Sequence, residues 1–194
     1  MTTTETTGSG GRQPAPGRLR LVQLFVNTRD VEEGLDEIGD APGLARWLSD
    51  HQLLDDGAKV TAADVERAQA VREALRSMLL ANGEGREPDR VATEVLNGAA
   101  TRAELLPRFA AGGAALAPSR SGVDGALGVL LAVVIEAMAG GTWARLKACR
   151  EETCQWAYYD ASKNRSGAWC SMAVCGNRNK GRAFRRRSRS QARS

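Results

Sequence analysis

Short helical patterns of apolar residues follow one another near the start of the chain. Residues 31–38 and 42–51 both space their apolar positions as a helix does, and the second segment places Leu44, Trp47 and Leu48 on one face. Such a stripe packs on a core. Both segments are therefore predicted as short helices.

A longer helix is predicted over residues 61–81, where apolar residues recur at helical spacing. Thr61 and Asp64 can cap its first turn. The polar, glycine-containing segment 82–88 predicts a flexible break, and the pattern resumes as a further helix over residues 89–98.

Two segments favour β-structure instead. Residues 18–28 are rich in β-branched and aromatic side chains, which predicts a strand that ends at the polar pair Asn27 and Thr28. In residues 105–118, Pro107 and the glycine pair 112–113 disfavour a helix. Two short strands joined at the glycines account for this pattern.

Residues 123–139 are apolar nearly all round, which is typical of a central buried helix. Their purely apolar stretch, 126–135, is about half of what a membrane-spanning helix needs, so we expect no membrane association. The sequence thus predicts a mainly α fold with small β elements (α+β), with a helical N-terminal domain.

The length of 194 residues, 42% of them apolar, allows one ordinary domain or a domain with a small module. Residues 1–17 are rich in Thr, Gly, Ser and Pro, and they lack the apolar centre of a secretory signal. We therefore expect a disordered tail and a cytoplasmic protein.

The net charge of +4 conceals a division into an acidic and a basic part. Residues 1–144 contain 14 basic and 20 acidic side chains, whereas residues 145–194 contain 13 basic and 3 acidic ones. All four cysteines lie in the basic part. In a reducing cytosol, such a cluster indicates a metal site rather than disulfides.

The cysteine spacing indicates the metal. Cys149 and Cys154 form one close pair, Cys170 and Cys175 form another, and fifteen residues separate the pairs. Four thiolates in two pairs suit one structural Zn²⁺ in a closed tetrahedral site. Buried free thiols or two disulfides are the alternatives.

The segment between the cysteine pairs predicts a hairpin of residues 155–160 and 167–169, with Lys163 and Arg165 at its turn. The order of first cysteine pair, hairpin, second cysteine pair and basic helix is that of a treble-clef-like zinc finger. Such a unit of about 45 residues has too little core to fold alone, so zinc would contribute on the order of 10 kcal/mol. We expect Trp156 and Trp169 to pack against it.

Eight basic residues and no acidic one follow Gly176. On a helix that starts near Cys175, arginines at 178, 182, 185 and 189 share one face, which suits contacts with nucleic-acid phosphates and guanine edges. A solvated face or a loose tail is the alternative. The candidate nucleic-acid contacts are Arg178, Lys180, Arg182, Arg185, Arg186, Arg187 and Arg189, together with Lys163 and Arg165 of the hairpin turn.

Several motifs in the basic part resemble the CGNR zinc finger. They include Tyr159-Asp160-x-Ser162-x-Asn164-Arg165 and the tetrapeptide Cys175-Gly176-Asn177-Arg178 that names this finger. The upstream part, with Phe25-Val26-Asn27-Thr28 and Leu44-x-x-Trp47-Leu48, is similar to the ABATE domain. That domain accompanies the finger in bacterial proteins described as stress-induced transcription regulators.

The resemblance covers about residues 18–187. It implies DNA binding through the finger and a regulatory role, and it assigns the four cysteines as metal ligands. The domains predicted on this basis are a disordered tail at 1–17, an ABATE-like helical domain at 18–142, a CGNR zinc finger at 143–187 and a basic tail at 188–194.

The leading hypothesis is a zinc-dependent transcription regulator that binds double-stranded DNA. RNA binding and thiol-based redox sensing, in which oxidation ejects the metal, are the alternatives. The acidic front domain would form a homodimer or sense a ligand. Asn27 and Thr28 are candidate ligand contacts, with a turn or a cap as their alternative role. No catalytic motif is found, so we expect no enzymatic activity.

Overall fold

The computed structural model describes residues 13–55, 57–111 and 113–182, except for the side chain of Ala110. In this described part of the chain, five helices precede residue 140, and three antiparallel strand pairs accompany them. The predicted class, mainly α with small β elements, is confirmed. The elements are α1 (Leu19–Val26), β1 (Arg29–Asp30), β2 (Leu35–Asp36), α2 (Ala41–Asp50), α3 (Ala62–Glu84), α4 (Arg90–Arg102), β3 (Leu105–Ala110), β4 (Gly113–Pro118), α5 (Gly122–Ala139), a 3-10 turn (Trp143–Arg145), β5 (Leu146–Ala148), β6 (Ala157–Tyr159), a π turn (Met172–Gly176) and α-helical residues 177–182.

The segment predicted as the first strand is the helix α1. Its residues Val22, Phe25 and Val26 are fully buried, and their spacing of three and four places them on one helix face. β-branched and aromatic residues locally favour a strand, but packing against α3 and α5 outweighs this preference here. The pair Asn27 and Thr28 therefore follows a helix and not a strand.

Residues 29–36 form a short hairpin where the sequence pattern predicts a helix. Arg29 lies opposite Asp36 in the strand pair. Asp30 Oδ1 accepts hydrogen bonds from the backbone N–H groups of Glu32 and Glu33, at 2.9 and 3.0 Å. A carboxylate that bonds the backbone in this way favours a turn over a helix. We call residues 29–36 the acidic hairpin.

The predicted helices between residues 42 and 139 are confirmed. Asp40 caps α2, and Thr61 and Asp64 form the predicted capping box on α3. α3 continues to Glu84, three residues beyond its predicted end, and Gly85 ends it in the left-handed conformation with a φ of 65°. Capping residues thus defined where these helices begin.

α5 is the central helix, as predicted. It contacts α1, α3, α4 and β4. β4 pairs with β3 in a second hairpin, which is the one predicted over residues 105–118. Among the described residues it is the one helix long and apolar enough to cross a membrane, and 61% of it is buried inside the protein. Its apolar surface is therefore largely covered by the other helices.

One continuous core joins the helical part to the start of the cysteine-rich part. Leu146, Ala148 and Ala157 are fully buried in the same apolar cluster as the residues of α3 and α5. β5 and β6 pair with each other on either side of the first cysteine pair. The predicted pairing of residues 155–160 with residues 167–169 is wrong, because β6 pairs with β5 and residues 167–169 do not form a strand. Gly167 N instead donates to the Asp160 carboxylate, and the Ala168 carbonyl accepts from Arg150 N.

Gln13 and Ala15 contact the folded part of the protein, although the sequence places them in a disordered tail. The Gln13 carbonyl accepts a hydrogen bond from Tyr159 N at 3.0 Å. Ala15 is buried, and its N–H donates to Gln23 Oε1 at 2.7 Å. The rest of the predicted tail, residues 1–12, lies outside the described residues.

Candidate metal centre and nucleic-acid interface

The first of two short loops that carry the cysteines is fixed at both ends by the buried strands β5 and β6. Cys149 directly follows β5, and its N–H donates to the Trp156 carbonyl at 3.0 Å. Cys154 N donates to the Glu151 carbonyl at 2.8 Å. Gln155 then takes a left-handed φ of 50°, which turns the chain into β6.

The second loop contains the π turn. Its start is capped by the Ser171 hydroxyl, which accepts from Val174 N at 3.4 Å, and the Ser171 carbonyl accepts from Gly176 N at 3.0 Å. Arg150 N donates to the Ala168 carbonyl at 3.1 Å, so the two loops are also bonded to each other. This arrangement brings Cys170 and Cys175 to the first cysteine pair.

The four sulfur atoms lie within 4.8 Å of one another, and all four side chains are buried. Cys170 Sγ lies 3.6 Å from Cys154 Sγ and 3.7 Å from Cys175 Sγ. Zn–S bonds of about 2.3 Å in a tetrahedral site set sulfur atoms about 3.8 Å apart. The cluster therefore has the size and the ligands of a closed zinc site, and its cysteines are free thiols rather than disulfides.

The thiols alter one another's ionisation. Hydrogen bonds from Cys154 and Cys170 lower the pKa of Cys149 to about 2, whereas burial and the nearby charge of Cys149 raise the pKa of Cys175 to about 12. The hydrogen bond between Cys170 and Cys149 raises the pKa of Cys170, and burial adds to this effect. A first thiolate forms readily, but four together need a cation to offset their repulsion, which Zn²⁺ supplies when bound.

Comparison with known families agrees with this chemistry. Residues 19–141 match the ABATE family, described as a putative stress-induced transcription regulator, and residues 145–188 match the CGNR zinc finger. The chain belongs to the ABATE family. No curated protein matches it. The prediction of one structural Zn²⁺ is confirmed by the finger and its four clustered cysteines, and the chain is a zinc-binding regulatory protein.

Asp160 organises the loop between the cysteine pairs of the CGNR finger. Its carboxylate accepts hydrogen bonds from Lys147 Nζ at 2.8 Å, from Ser162 N and Oγ at 3.0 and 2.6 Å, and from Gly167 N at 2.8 Å. Burial raises the pKa of Asp160, but these hydrogen bonds outweigh it and hold the pKa well below its ordinary value. The same loop exposes two of the candidate nucleic-acid contacts, Lys163 and Arg165.

Residues 177–182, which we call the basic helix, are the described part of the helix predicted after Cys175. Arg178 and Arg182 are exposed and lie four residues apart, on one face. Arg178 Nη2 donates to the Glu32 carboxylate at 2.6 Å, and Arg182 forms an ion pair with Glu151. Four of the predicted contacts lie outside the described residues: Arg185, Arg186, Arg187 and Arg189.

Lys180 is placed differently from these two arginines. Two residues correspond to about 200° of rotation on an α-helix, so Lys180 lies on the face opposite Arg178. It is exposed, and within residues 13–55, 57–111 and 113–182 no ion pair of Lys180 is found. The face of Lys180 is thus the part of the basic helix that turns away from the protein's own carboxylates.

The sequence pattern does not point to two carboxylates that contact the basic helix. Glu151 is fully buried beside the first cysteine loop, where the hydrogen bond from Arg182 holds its pKa below the ordinary value. Its position two residues after Cys149 was a usable signal. Glu32 and Arg178 are separated by 146 positions in the chain, and no local pattern connects them.

Asn27 and Thr28 are buried, and protein groups occupy their polar atoms. Asn27 exchanges two hydrogen bonds with the backbone of Ala157, at 2.9 and 2.7 Å, and so joins the ABATE domain to the finger. The Thr28 hydroxyl donates to the Phe25 carbonyl at 2.8 Å and accepts from Arg72. The polar atoms of both side chains thus have hydrogen-bond partners within the protein. The role of Asn27 and Thr28 as ligand contacts stays a prediction.

A second buried link between the two parts was not foreseen. The Arg76 guanidinium donates to the Gln155 carbonyl at 2.8 Å and to the Val26 carbonyl at 2.7 Å, and it pairs with Glu73. Burial lowers the pKa of Arg76, and the charge of Glu73 only partly counters this. Arg76 therefore connects α1, α3 and the first cysteine loop.

Proposed function

We propose that this chain is a zinc-dependent transcription regulator that binds double-stranded DNA with its basic C-terminal part. The observation that carries this proposal is the continuity of the cysteine cluster with the basic helix. Cys175 lies inside the π turn, which runs without interruption into residues 177–182. Zinc at the cluster would fix the start of the basic helix, so the cations of residues 177–182 would form an oriented surface.

The charge distribution supports the same proposal. The last 50 residues carry a net charge of +10 and the first 144 a net charge of −6. A polyanion attracts the basic end and repels the acidic one, which orients the protein before contact. The ABATE domain then stays away from the duplex, where it is available for dimerisation or ligand sensing. A homodimer would match a two-fold operator.

We also propose that the protein is not an enzyme and acts in the cytoplasm without membrane association. The single histidine of the chain, His51, stacks on Trp47 with ring centroids 4.1 Å apart, and its Nδ1 lies 2.7 Å from the Trp47 carbonyl. These contacts give His51 a packing role. A thiol-based sensor requires accessible thiolates, and the burial of all four cysteines disfavours that function.

The direct test is selection of bound sequences from random DNA duplexes with the full chain in zinc-containing buffer. We expect enrichment of a defined sequence, and its loss in the variant Cys170→Ser, which lacks one zinc ligand. Competition with single-stranded and structured RNA is measured on the same protein. Absence of duplex binding would refute the proposal, and preferential retention of RNA would replace DNA by RNA as the partner.

A further inference from the structure

The acidic hairpin touches the basic helix at one point. The Glu32 carboxylate accepts a hydrogen bond from Arg178 Nη2 at 2.6 Å. The two side chains remain 36% and 42% exposed, so the contact lies at the protein surface and is accessible to a competing anion. The ABATE domain thereby binds one of the cations that the proposed function assigns to DNA.

The hairpin is held in place, which fixes the position of Glu32. Arg72, 1% exposed, donates to both carboxylate oxygens of Asp36, at 2.6 and 2.8 Å. At the other end of the hairpin, Asp30 bonds the backbone of Glu32 and Glu33. Glu32 is therefore presented to Arg178 from an ordered turn anchored on α3.

A carboxylate and a phosphate can each accept hydrogen bonds from the same guanidinium group. Both are anions with coplanar or forked oxygens that accept charge-assisted hydrogen bonds from arginine. While Glu32 occupies Arg178, a phosphate gains less from this cation and is repelled by the neighbouring carboxylate. Binding of DNA at Arg178 requires that the ion pair with Glu32 be broken.

We infer that Glu32 is an autoinhibitory residue, which competes with DNA phosphate for Arg178 and thereby lets the ABATE domain weaken binding by the finger. This inference rests on the proposed function. Because an exposed ion pair is worth little in free energy, the inhibition is modest and reversible. Any movement of the acidic hairpin away from the basic helix relieves it.

The test compares Glu32→Gln with Glu33→Gln in the full zinc-bound chain, by fluorescence anisotropy with a labelled duplex over a series of salt concentrations. Glu33 is the matched control, because it is the neighbouring residue in the same turn and carries the same charge. In the described part of the chain, its side chain makes no ion pair. Both variants remove one negative charge, so they share any long-range effect.

We expect Glu32→Gln to bind the duplex about three- to fivefold more tightly than Glu33→Gln. We also expect the slope of log affinity against log salt to steepen by about 0.9, the value for one additional phosphate contact. The double variant Glu32→Gln with Arg178→Gln should lose this gain. Equal affinities of Glu32→Gln and Glu33→Gln, with the wild type still binding, would overturn the inference alone. Failure of every variant to bind at low salt would overturn the proposed function, and this inference with it.

Discussion

Asp160 and Lys147 form an ion pair that is almost closed to solvent, with side chains 4% and 3% exposed. Lys147 Nζ donates further to the carbonyls of Arg165 and Gly167. These bonds set the path of the loop that presents Lys163 and Arg165. A buried pair adds little net stability, but the loss of one partner leaves an uncompensated charge inside the protein.

The substitution Asp160→Asn should therefore lower the free energy of unfolding by about 3 kcal/mol at neutral pH. Lys147 would stay buried with its charge and without a carboxylate. Urea unfolding of the zinc-bound chain measures the effect. Asp55→Asn is the control, because this carboxylate is exposed, and its removal should change stability by less than about 0.5 kcal/mol.

The loss of stability caused by Asp160→Asn should depend on pH. The folded-state pKa of Asp160 is lowered, so its contribution is complete above the unfolded-state pKa of about 3.9 and is lost as the pH falls towards the folded value. The difference in stability between wild type and Asp160→Asn should thus shrink below about pH 4. A difference that stays constant down to about pH 2 would show that the charge of Asp160 is not what stabilises the loop.

At this scale, the sequence revealed the residues whose role depends on local spacing. The four cysteines stand in two close pairs, and this spacing alone predicted a shared metal. Glu32, Arg76 and Asn27 act through contacts with residues far away in the chain. The partners of Arg76 and Asn27 follow from the packing of helices beside β5 and β6, and that of Glu32 from the position of the acidic hairpin beside the basic helix. No local pattern encodes these contacts.

At the scale of elements, Gly128 lets α5 pack closely against the residue before Glu104 and against the last residue of β4. A Cβ atom at this position would lie 2.6 Å from Ala103 Cβ and 2.9 Å from Pro118 Cβ. Gly98 lies in α4, where a Cβ atom would meet only the flexible end of Arg102 at 3.7 Å. The same substitution should therefore have opposite effects in the two helices.

We expect Gly128→Ala to destabilise the protein by about 1–3 kcal/mol because α5 must move away from Ala103 and Pro118. Gly98→Ala should stabilise it by about 0.5–1 kcal/mol, since alanine favours a helix more than glycine does. Thermal unfolding of both variants checks this. Destabilisation by Gly98→Ala of the same size as by Gly128→Ala would mean that steric contact at Gly128 is not the cause.

Helices with capping residues, such as α2 and α3, and the long apolar helix α5 were predictable from the sequence. α1 was not, because its β-branched and aromatic residues favour a strand until they are packed against α5. The acidic hairpin was not predictable either, since the hydrogen bonds of Asp30 outweigh a weak helical pattern. Local preference decides an element only where packing and side-chain bonds agree with it.

At the scale of the whole molecule, the ABATE domain and the CGNR finger share one core. Leu146, Ala148 and Ala157 belong to the apolar cluster of the helical domain, and Asn27 and Arg76 bond the finger's backbone. The acidic body and the basic end are therefore held in a fixed relation over the described residues. The charge distribution distinguishes the two parts in the sequence, but their shared core and the hydrogen bonds between them are seen only in the structure.

Removal of zinc should consequently weaken the helical domain as well as the finger. With free zinc held at about 1,000 times the dissociation constant, we expect it to stabilise the folded chain by about 4 kcal/mol. Urea unfolding with and without a chelator, followed by far-ultraviolet circular dichroism, reports on the helices of the ABATE domain. An unchanged helical transition after chelation would show that the two parts unfold independently.

The central claim is that zinc orients the basic C-terminal part for binding to duplex DNA. The affinity of the full chain for a labelled duplex, measured across salt concentrations with zinc and after chelation, tests it most directly. We expect tight binding at about 50 mM salt that weakens with a log–log slope of about −0.9 per phosphate contacted, and a marked loss of affinity without zinc. No binding at low salt, or the same affinity and slope with and without zinc, would contradict it.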